Sequence, residues 1–476
     1  MNKEINIKKI SFLLIIVYLV LGISFYFIGG EQLHIGRSDD SLSYNMAQTP
    51  IGEITNDTIV EQDFSVKADI IEQISVKVAT YGRSNTGNLF IKLIDKDNGE
   101  VLFNQTVDVS SLKDGSNFSI TPKDRIKGVM NKKLSLVITS DTKNKDNAVT
   151  LWSAKSDANS PLYINGQLSE NTLTFAVECD KVLLFGEYYW RIFTTVLALL
   201  LLFLWNLQIK QRKGEQSLGL RVISAFIKYN FLLSQLIERD FKTKYKRSIL
   251  GILWSFLNPL LTMLVQYIVF STIFKSDIAN FPVYLLSGIV VFNFFTEACG
   301  MGLMSIVGNA SLITKVYMPK YIYPVSKVLS SVINLCLSLI PLIIVMLLTN
   351  VHITHSMFLV PFGLICVIVF CIGMAFILSS AMVFFRDTQF LWSVLSLLWM
   401  YATPVFYPEN IIPDKFSFVL KLNPLYHFIR FIRTCILNGV SPEPIAYLYC
   451  IVFSFGILVI GAIIFKKTQD KFVLNI

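Results

Sequence analysis

Cationic side chains suited to binding phosphate are concentrated in one stretch of the chain, LSQLIERDFKTKYKRSILGILWSFLNP at residues 233–259. They are Arg239, Lys242, Lys244, Lys246 and Arg247. Apolar residues alternate with them at helical spacing. This pattern predicts an amphipathic helix in a membrane interface, with its cations among lipid headgroup phosphates. A juxtamembrane positive cluster placed by the positive-inside rule alone would have the same composition.

Other chemistry has no recognisable motif in the sequence. There is no GxxxxGK[ST] phosphate loop and no strand that ends in a Walker-B acid. The four histidines are isolated, apart from His352 and His355, whose spacing fits a solvated loop pair as well as a metal site. The seven cysteines show no metal-ligand spacing. We therefore expect no catalytic residue, no metal and no cofactor in this chain.

Composition indicates an integral membrane protein with a polar insert. Hydrophobic residues make up 53% of the 476 residues and charged residues only 16%, with a mean hydropathy of +0.56. Soluble domains carry about 25% charged residues. The net charge of +9 is carried beside apolar runs, so anionic lipid is a simpler partner than nucleic acid.

Apolar runs predict an α-helical polytopic protein with eight crossings and both termini cytoplasmic. Residues 1–30 are interpreted as a retained transmembrane anchor, with a cleaved signal peptide as the alternative. A second transmembrane helix covers 183–208, and 209–248 form a cytoplasmic linker with the interface helix. Residues 249–476 form a six-helix domain. Its apolar runs lie near 250–274, 283–305, 322–349, 357–385, 389–407 and 445–465.

Residues 31–182 alternate polar and apolar positions between turn-forming clusters such as RSNTGN and DKDNGE, which predicts an antiparallel β-sandwich. The flanking spans place this domain outside the cytoplasm. It resembles jelly-roll domains that recognise carbohydrate. Tyr81, Trp152 and Tyr163 are candidates for stacking on sugar faces, or they fill the core of the sandwich.

The segment 404–440 should lie on the outer side, yet FSFVLKLNPLYHFIRFIRTCIL is too apolar for a solvated loop. We predict two short helices that dip back into the outer leaflet and are broken at Asn423–Pro424.

Four strings occur in an order that identifies a resemblance: RDFKTKYKRSILGILWSFLNPL, NASLITKVYMPKYIYP, FFRDTQFLW, and YATPVFYPENIIP with LNPLYHFIRFIR. Over roughly residues 225–476 the chain resembles membrane subunits of ATP-binding-cassette exporters, in the branch that exports O-antigen polysaccharides and teichoic acids. The resemblance implies a separate ATPase subunit that carries ATP and Mg, and a homodimer of this chain above two ATPase chains. It also implies a cargo glycan on a polyprenyl lipid.

The resemblance requires a cytoplasmic element that contacts the ATPase, and the segment 309–324 is the candidate. Its predicted contact residues are Leu312, Ile313, Lys315, Val316 and Tyr317, with Arg386 of the next inner loop as a second contact. Arg386 could equally serve only as a topology anchor.

A lipid-linked glycan also needs cations for its phosphate and aromatic faces along its path. We expect Lys242, Lys246 and Arg247 to hold the phosphate at the inner leaflet. Arg430 and Arg433 would receive it at the outer leaflet or snorkel to native headgroups. The aromatic candidates, many of which must face lipid or other helices, are Trp254, Tyr267, Phe292, Phe295, Trp392, Trp399, Tyr401 and Phe406.

Two other functions fit the same sequence. An exporter of drugs or small lipids would share the fold class without needing aromatic lining or a sugar-binding domain. A membrane-anchored glycan receptor or assembly scaffold would need no ATPase partner.

Overall fold

The computed structural model describes residues 7–38, 42–43, 49–122, 125–155, 160–213, 215, 217–246, 250–273, 280–315 and 318–475. These residues divide into two compact units. Residues 33–187 form a β-domain, and the remainder of the described chain forms a helical unit.

The helices of the described residues, in chain order, are α1 (Ile7–Gly29), α2 (Leu184–Arg212), α3 (Leu218–Tyr245), α4 (Trp254–Ile268), α5 (Phe281–Leu303), α6 (Ala310–Lys315), α7 (Ile322–Leu348), α8 (Val360–Phe384), α9 (Thr388–Ala402), α10 (Ser417–Leu422), α11 (Pro424–Arg433), α12 (Pro444–Thr468) and α13 (Phe472–Asn475).

The strands of the β-domain are β1 (Ile35–Arg37), β2 (Leu42–Ser43), β3 (Thr49–Pro50), β4 (Val60–Ser65), β5 (Ile70–Ala79), β6 (Asn88–Asp95), β7 (Val101–Asp108), β8 (Asn117–Ile120), β9 (Ile126–Lys127), β10 (Lys133–Ser140), β11 (Thr150–Lys155), β12 (Leu162–Ile164), β13 (Gln167–Leu168), β14 (Asn171–Leu173) and β15 (Phe175–Val182).

The β-domain is a sandwich of two antiparallel sheets. One sheet has nine strands, five of them in the order β1-β15-β5-β11-β14, with β2 paired to β15, β3 to β11, and β8 and β9 to β5. The other sheet has six strands in the order β13-β12-β4-β10-β6-β7. Alternate residues of both sheets form a shared apolar core, in which the rings of Phe64 and Phe175 lie 5.5 Å apart. Period-2 alternation is the signature of a sheet with one buried face, so the predicted antiparallel β-sandwich is confirmed.

In the helical unit, small residues bring backbones into close contact. A Cβ placed on Gly461 of α12 would lie 2.3 Å from the carbonyl oxygen of Gly373 in α8, and one on Gly302 of α5 would lie 2.5 Å from Ala375. Helices in membranes associate through such packing, because apolar burial gives them no advantage over lipid. This packing joins α5, α8 and α12 into a rigid core.

Within the described ranges, seven helical segments are long and apolar enough to cross a membrane. They are Lys8–Leu33, Leu184–Arg212, Gly251–Ser271, Phe281–Leu303, Ile322–Leu348, His355–Phe384 and Pro444–Asn475. The predicted crossing at 389–407 differs, because α9 has 15 residues and reaches only about 22 Å. It ends where Thr403 adopts an extended backbone before Pro404. The eighth expected crossing is therefore shorter than the hydrocarbon layer of about 30 Å.

Candidate transport site and coupling surface

The interface helix α3 begins at an N-cap, where the Ser217 hydroxyl accepts a hydrogen bond from the backbone N–H of Leu220. Its cations are mostly paired. Lys242 forms an ion pair with Glu238, one turn earlier, at 2.5 Å, and Lys244 forms an ion pair with Glu297 of α5 at 2.8 Å. Lys246 is exposed just after the end of the helix and has no ion-pair partner among the residues with described positions. Arg247, also predicted to hold a lipid phosphate, lies outside the described residues.

A polar network joins α3 to the membrane helices. Glu297 also accepts a hydrogen bond from the side-chain amide of Asn334 at 2.6 Å. The Tyr245 hydroxyl donates to Asn334 at 2.7 Å and is hydrogen-bonded to Ser255. Glu297 is an acid inside an apolar run. Ionisable residues in such segments are costly unless they have partners, so its position alone could have indicated a functional polar contact. The sequence-based predictions did not include Glu297 or Asn334.

A second ion pair fixes α3 to the start of α7. The carboxylate of Asp240 is 7% exposed and lies 2.9 Å from both Arg239 and Lys327. Arg239 also donates to Asn309, which precedes α6. These contacts hold α3 against the start of α7 and the segment that leads into α6.

The segment 309–324 contains the short helix α6, followed by a turn into α7. Ile313 is 9% exposed and packs in a cluster with Tyr323, Phe376, Phe465 and Phe472, and half-buried Leu312 contacts the same cluster. The predicted role of Ile313 in docking a partner is therefore corrected, because it holds α6 onto its own chain, whereas docking through Leu312 stays a prediction. Lys315 is exposed, as is Arg386 before α9. Val316 and Tyr317 lie outside the described residues.

The end of the chain supports α6, which sequence patterns did not indicate. Phe472 of α13 is fully buried in the same cluster as Ile313. The ammonium of Lys320 donates to the carbonyl of Gln469 at 2.6 Å and lies 6.0 Å from the Phe472 ring centroid. These contacts are long-range in sequence, and a short apolar tail gives no periodic signal that could have identified them.

The segment 404–440 contains the two short helices α10 and α11, separated at Asn423. The side-chain oxygen of Asn423 accepts hydrogen bonds from the Trp399 indole N–H at 2.8 Å and from the backbone N–H of Leu425. The second of these bonds caps the start of α11. Its amide donates to the Thr403 hydroxyl at 2.8 Å. A single polar side chain thus joins the end of α9 to the start of α11.

The two arginines of α11 have different environments. Arg433 is buried, and its guanidinium donates to the backbone carbonyls of Pro404, Val405 and Tyr284. The predictions that Arg433 receives the lipid phosphate or snorkels to headgroups are therefore corrected, because its guanidinium is buried and bound to backbone carbonyls of the protein. Arg430 is exposed and donates to the Tyr426 hydroxyl at 2.9 Å.

The aromatic residues predicted along a glycan path separate by burial. Four are buried between helices of one chain, and this corrects their assignment to the path: Phe292, Phe295, Trp392 and Phe406. Phe295 is central to this packing, with the Trp392 ring at 5.8 Å and the half-buried Trp399 ring at 5.1 Å. Trp254, Tyr267 and Tyr401 are exposed, Tyr401 at 63%.

The three aromatic candidates of the β-domain each have a cation near the ring. Arg83 lies 5.1 Å from the Tyr81 centroid, Lys77 lies 5.9 Å from Trp152, and Lys96 lies 5.3 Å from Tyr163. Tyr81 is 40% exposed and has a positive φ of 57° in the turn after β5. Trp152 and Tyr163 are half-buried.

Comparison with known proteins accounts for the helical half of the chain. The family described as "ABC-2 type transporter" matches residues 231–437. Two O-antigen export system permease proteins RfbA of Klebsiella pneumoniae are 34% and 32% identical to it, each over 52% of this chain and 98% of its own length. The polysialic acid transport protein KpsM of Escherichia coli is 23% identical over 52% of this chain and 97% of its own length. The chain therefore belongs to the ABC-2 type transporter family and is a multi-pass membrane protein.

Proposed function

We propose that this chain is the membrane-spanning subunit of an exporter that moves lipid-linked cell-envelope polysaccharide across the cytoplasmic membrane. The observation that carries the proposal is the alignment of about half of the chain with nearly the whole length of O-antigen export permeases. The buried packing of α5, α8 and α12 and the interface helix α3 lie in or beside the segment that matches the family.

Energy comes from a separate ATPase subunit, which binds ATP and Mg. The sequence has no phosphate loop of its own. Support for a docking surface comes from α6, whose buried residues fix it to the protein while Lys315 remains exposed. Exposed Arg386 supplies a further cation for the same partner.

Two copies of the chain enclose the path, with the β-domain on the extracytoplasmic side and both termini in the cytoplasm. Among the aromatic residues predicted along the glycan path, the exposed ones are available to a second copy or to the glycan: Trp254, Tyr267 and Tyr401. Exposed Lys246, together with Arg247, is the proposed contact for the polyprenyl phosphate at the inner leaflet.

The test is purification of the affinity-tagged chain from its own host. The proposal predicts equal amounts of this chain and one ATPase, in a particle containing two of each. It also predicts loss of surface polysaccharide in a deletion strain. Purification without an ATPase, or a deletion strain with normal surface polysaccharide, would favour a receptor or an exporter of smaller lipids.

A further inference from the structure

Phenylalanine rings from three helices form one group beside α6, which we call the Phe472 cluster. Its members are Phe376 and Phe384 of α8, Phe465 of α12 and Phe472 of α13. The ring centroid of Phe472 lies 5.2 Å from that of Phe465 and 6.3 Å from that of Phe384. Phe376 lies 5.0 Å from Phe465. Rings at these spacings stabilise each other beyond the burial of their surface, so fully buried Phe472 joins the ends of α8 and α12.

The helix α6 packs on the Phe472 cluster through its buried residue, Ile313. Half-buried Met318, in the turn after α6, and buried Tyr323, in the first turn of α7, pack in the same cluster. Along the chain α6 is followed by α7, whereas α8, α12 and α13 are distant in sequence. Packing therefore connects α6 to helices that the covalent chain does not place next to it.

A polar contact joins the same two parts of the chain. The ammonium of Lys320, in the turn between α6 and α7, donates to the carbonyl of Gln469 at 2.6 Å, and Gln469 is the C-cap of α12. Carbonyls at the end of a helix lack partners within the helix and carry a partial negative charge, which favours a cation there. Lys320 therefore fixes the turn after α6 to the end of α12 independently of the apolar packing.

The helices α8 and α12 are held together along their length. Besides the close approach of Gly461 to Gly373, the Thr468 hydroxyl donates to the Ser380 hydroxyl at 3.2 Å, and the Ser454 hydroxyl donates to the carbonyl of Cys366 at 2.8 Å. Close-packed interiors have low compressibility and transmit displacement. A displacement of α6 that reaches the Phe472 cluster should therefore move α8 and α12 as one body.

We propose that Phe472 is a positioning residue for α6, and that segment 469–475 transmits displacement of α6 by the ATPase to α8 and α12. Phe472 supports Ile313 from below the helix, and Lys320 fixes the turn that follows it. With both contacts in place, α6 cannot move without moving the paired helices. The inference rests on the proposed function, because the ATPase that displaces α6 is part of that proposal.

The first test measures amide hydrogen exchange of the full-length chain in lipid nanodiscs, without an ATPase. Phe472→Ala should make peptides that contain α6 exchange about tenfold faster or more, because the helix loses its support and opens locally at a lower cost. Leu474→Ala is the matched control, since it removes a side chain that is 85% exposed on the same short helix and should leave the exchange of α6 unchanged. Unchanged exchange of α6 in Phe472→Ala would overturn the inference.

The second test measures glycan transported per ATP hydrolysed, in liposomes that contain the chain and the co-purified ATPase. Phe472→Ala and Lys320→Met should each lower this ratio several-fold while the amount of bound ATPase stays near that of the wild type. Phe472→Leu should restore most of the ratio, because it refills the cluster.

Lys467→Met is the control for Lys320→Met, since it removes an exposed lysine near the end of α12. A normal ratio in both Phe472→Ala and Lys320→Met would overturn the inference. If Phe472→Ala fails to fold, a normal ratio in Lys320→Met alone would overturn it.

The proposed function has a separate readout. Loss of surface polysaccharide in the deletion strain tests that function, whereas the exchange of α6 and the transport ratio of the variants test segment 469–475. If the deletion strain loses its surface polysaccharide while Phe472→Ala and Lys320→Met transport normally, the inference fails and the proposed function stands.

Discussion

The guanidinium of Arg433 lies 3.5 Å from the ring centroid of Tyr284 and donates to the carbonyl of the same residue at 3.0 Å. Gly288, one turn further along α5, gives the arginine its space, since a Cβ there would come within 2.6 Å of the guanidinium. The other two donors reach Pro404 and Val405, both at 2.7 Å. One side chain thus joins α11, α5 and the turn after α9.

Replacing Arg433 should therefore destabilise the helical unit. In Arg433→Lys the planar fork and the ring stacking are lost, and at least one carbonyl is left without a donor, at a cost of about 1–3 kcal/mol for each. The measurement is thermal unfolding of the full chain in detergent. Arg430→Gln is the control, because its side chain is exposed and its loss should have little effect. A lysine variant as stable as the wild type would contradict this role.

The pair formed by Lys244 and Glu297 should matter more for transport than for stability. Both side chains are partly exposed, so the ion pair itself should contribute about 1 kcal/mol or less to stability. We expect Glu297→Ala to lower export several-fold, because the interface helix loses its link to α5 and Asn334.

The double variant Lys244→Glu with Glu297→Lys should recover part of the export, measured as polysaccharide at the cell surface. Glu238→Gln removes an ion pair that lies within α3 while Lys242 keeps its charge, and it should leave export unchanged. If the Glu238 variant loses as much export as the Glu297 variant, the link to α5 is not what matters.

Two residues of α6 should have separable effects. Ile313→Ala removes buried methyl groups from the cluster around Phe472 and should cost about 2–5 kcal/mol of stability. Lys315→Glu should leave stability unchanged, yet lower both the amount of ATPase that co-purifies and the export of polysaccharide. Normal export by the Lys315 variant would place the docking contact elsewhere on the chain.

The stability of the β-domain should depend on pH through Asp95. The ammonium of Lys132, 2.8 Å away, and the backbone N–H of Asp97 hold the pKa of this carboxyl below its usual 3.8. A lowered folded pKa stabilises the domain above the unfolded value, and this contribution is lost as the pH falls through the folded value. The same bond raises the pKa of Lys132, so its contribution is lost only as the pH rises beyond 10.5.

Asp95→Asn should therefore lower the unfolding temperature of the β-domain at pH 7, and the difference from the wild type should shrink as the pH is lowered past 3.8. Calorimetry of the full chain can assign the transition, because a variant lacking residues 33–187 should lack it. Asp57→Asn, on an exposed turn, is the control. A difference that is constant between pH 7 and pH 3 would contradict an ionic contribution.

The architecture could be predicted from the sequence wherever hydrophobic residues follow a regular pattern. Residues such as Ile74, Val76 and Val78 alternate with polar neighbours because one face of their sheet is buried, and the resulting β-sandwich was predicted. Long apolar runs likewise predicted seven of the membrane helices. Both patterns depend only on residues that are close in sequence, so they can be recognised without knowing the tertiary contacts.

The roles of single residues were less readable because they depend on distant partners. Arg430 and Arg433 lie three residues apart in the same short helix, so the sequence does not distinguish them. Only Arg433 donates to the backbone carbonyls that follow the end of α9. Phe295 and Tyr401 are both aromatic residues of apolar runs, and only tertiary packing makes one buried and the other exposed. The position of Phe472 beneath α6 likewise depends on contacts with no sequence period.

The most direct measurement places this chain and the ATPase proposed to drive it in liposomes with lipid-linked polysaccharide from the host. A membrane-impermeant glycan probe then reports transfer across the bilayer. The account predicts transfer that requires ATP and the ATPase subunit, and that is lost with Lys315→Glu. Transfer by this chain alone without ATP, or none by the complete complex supplied with ATP, would contradict it.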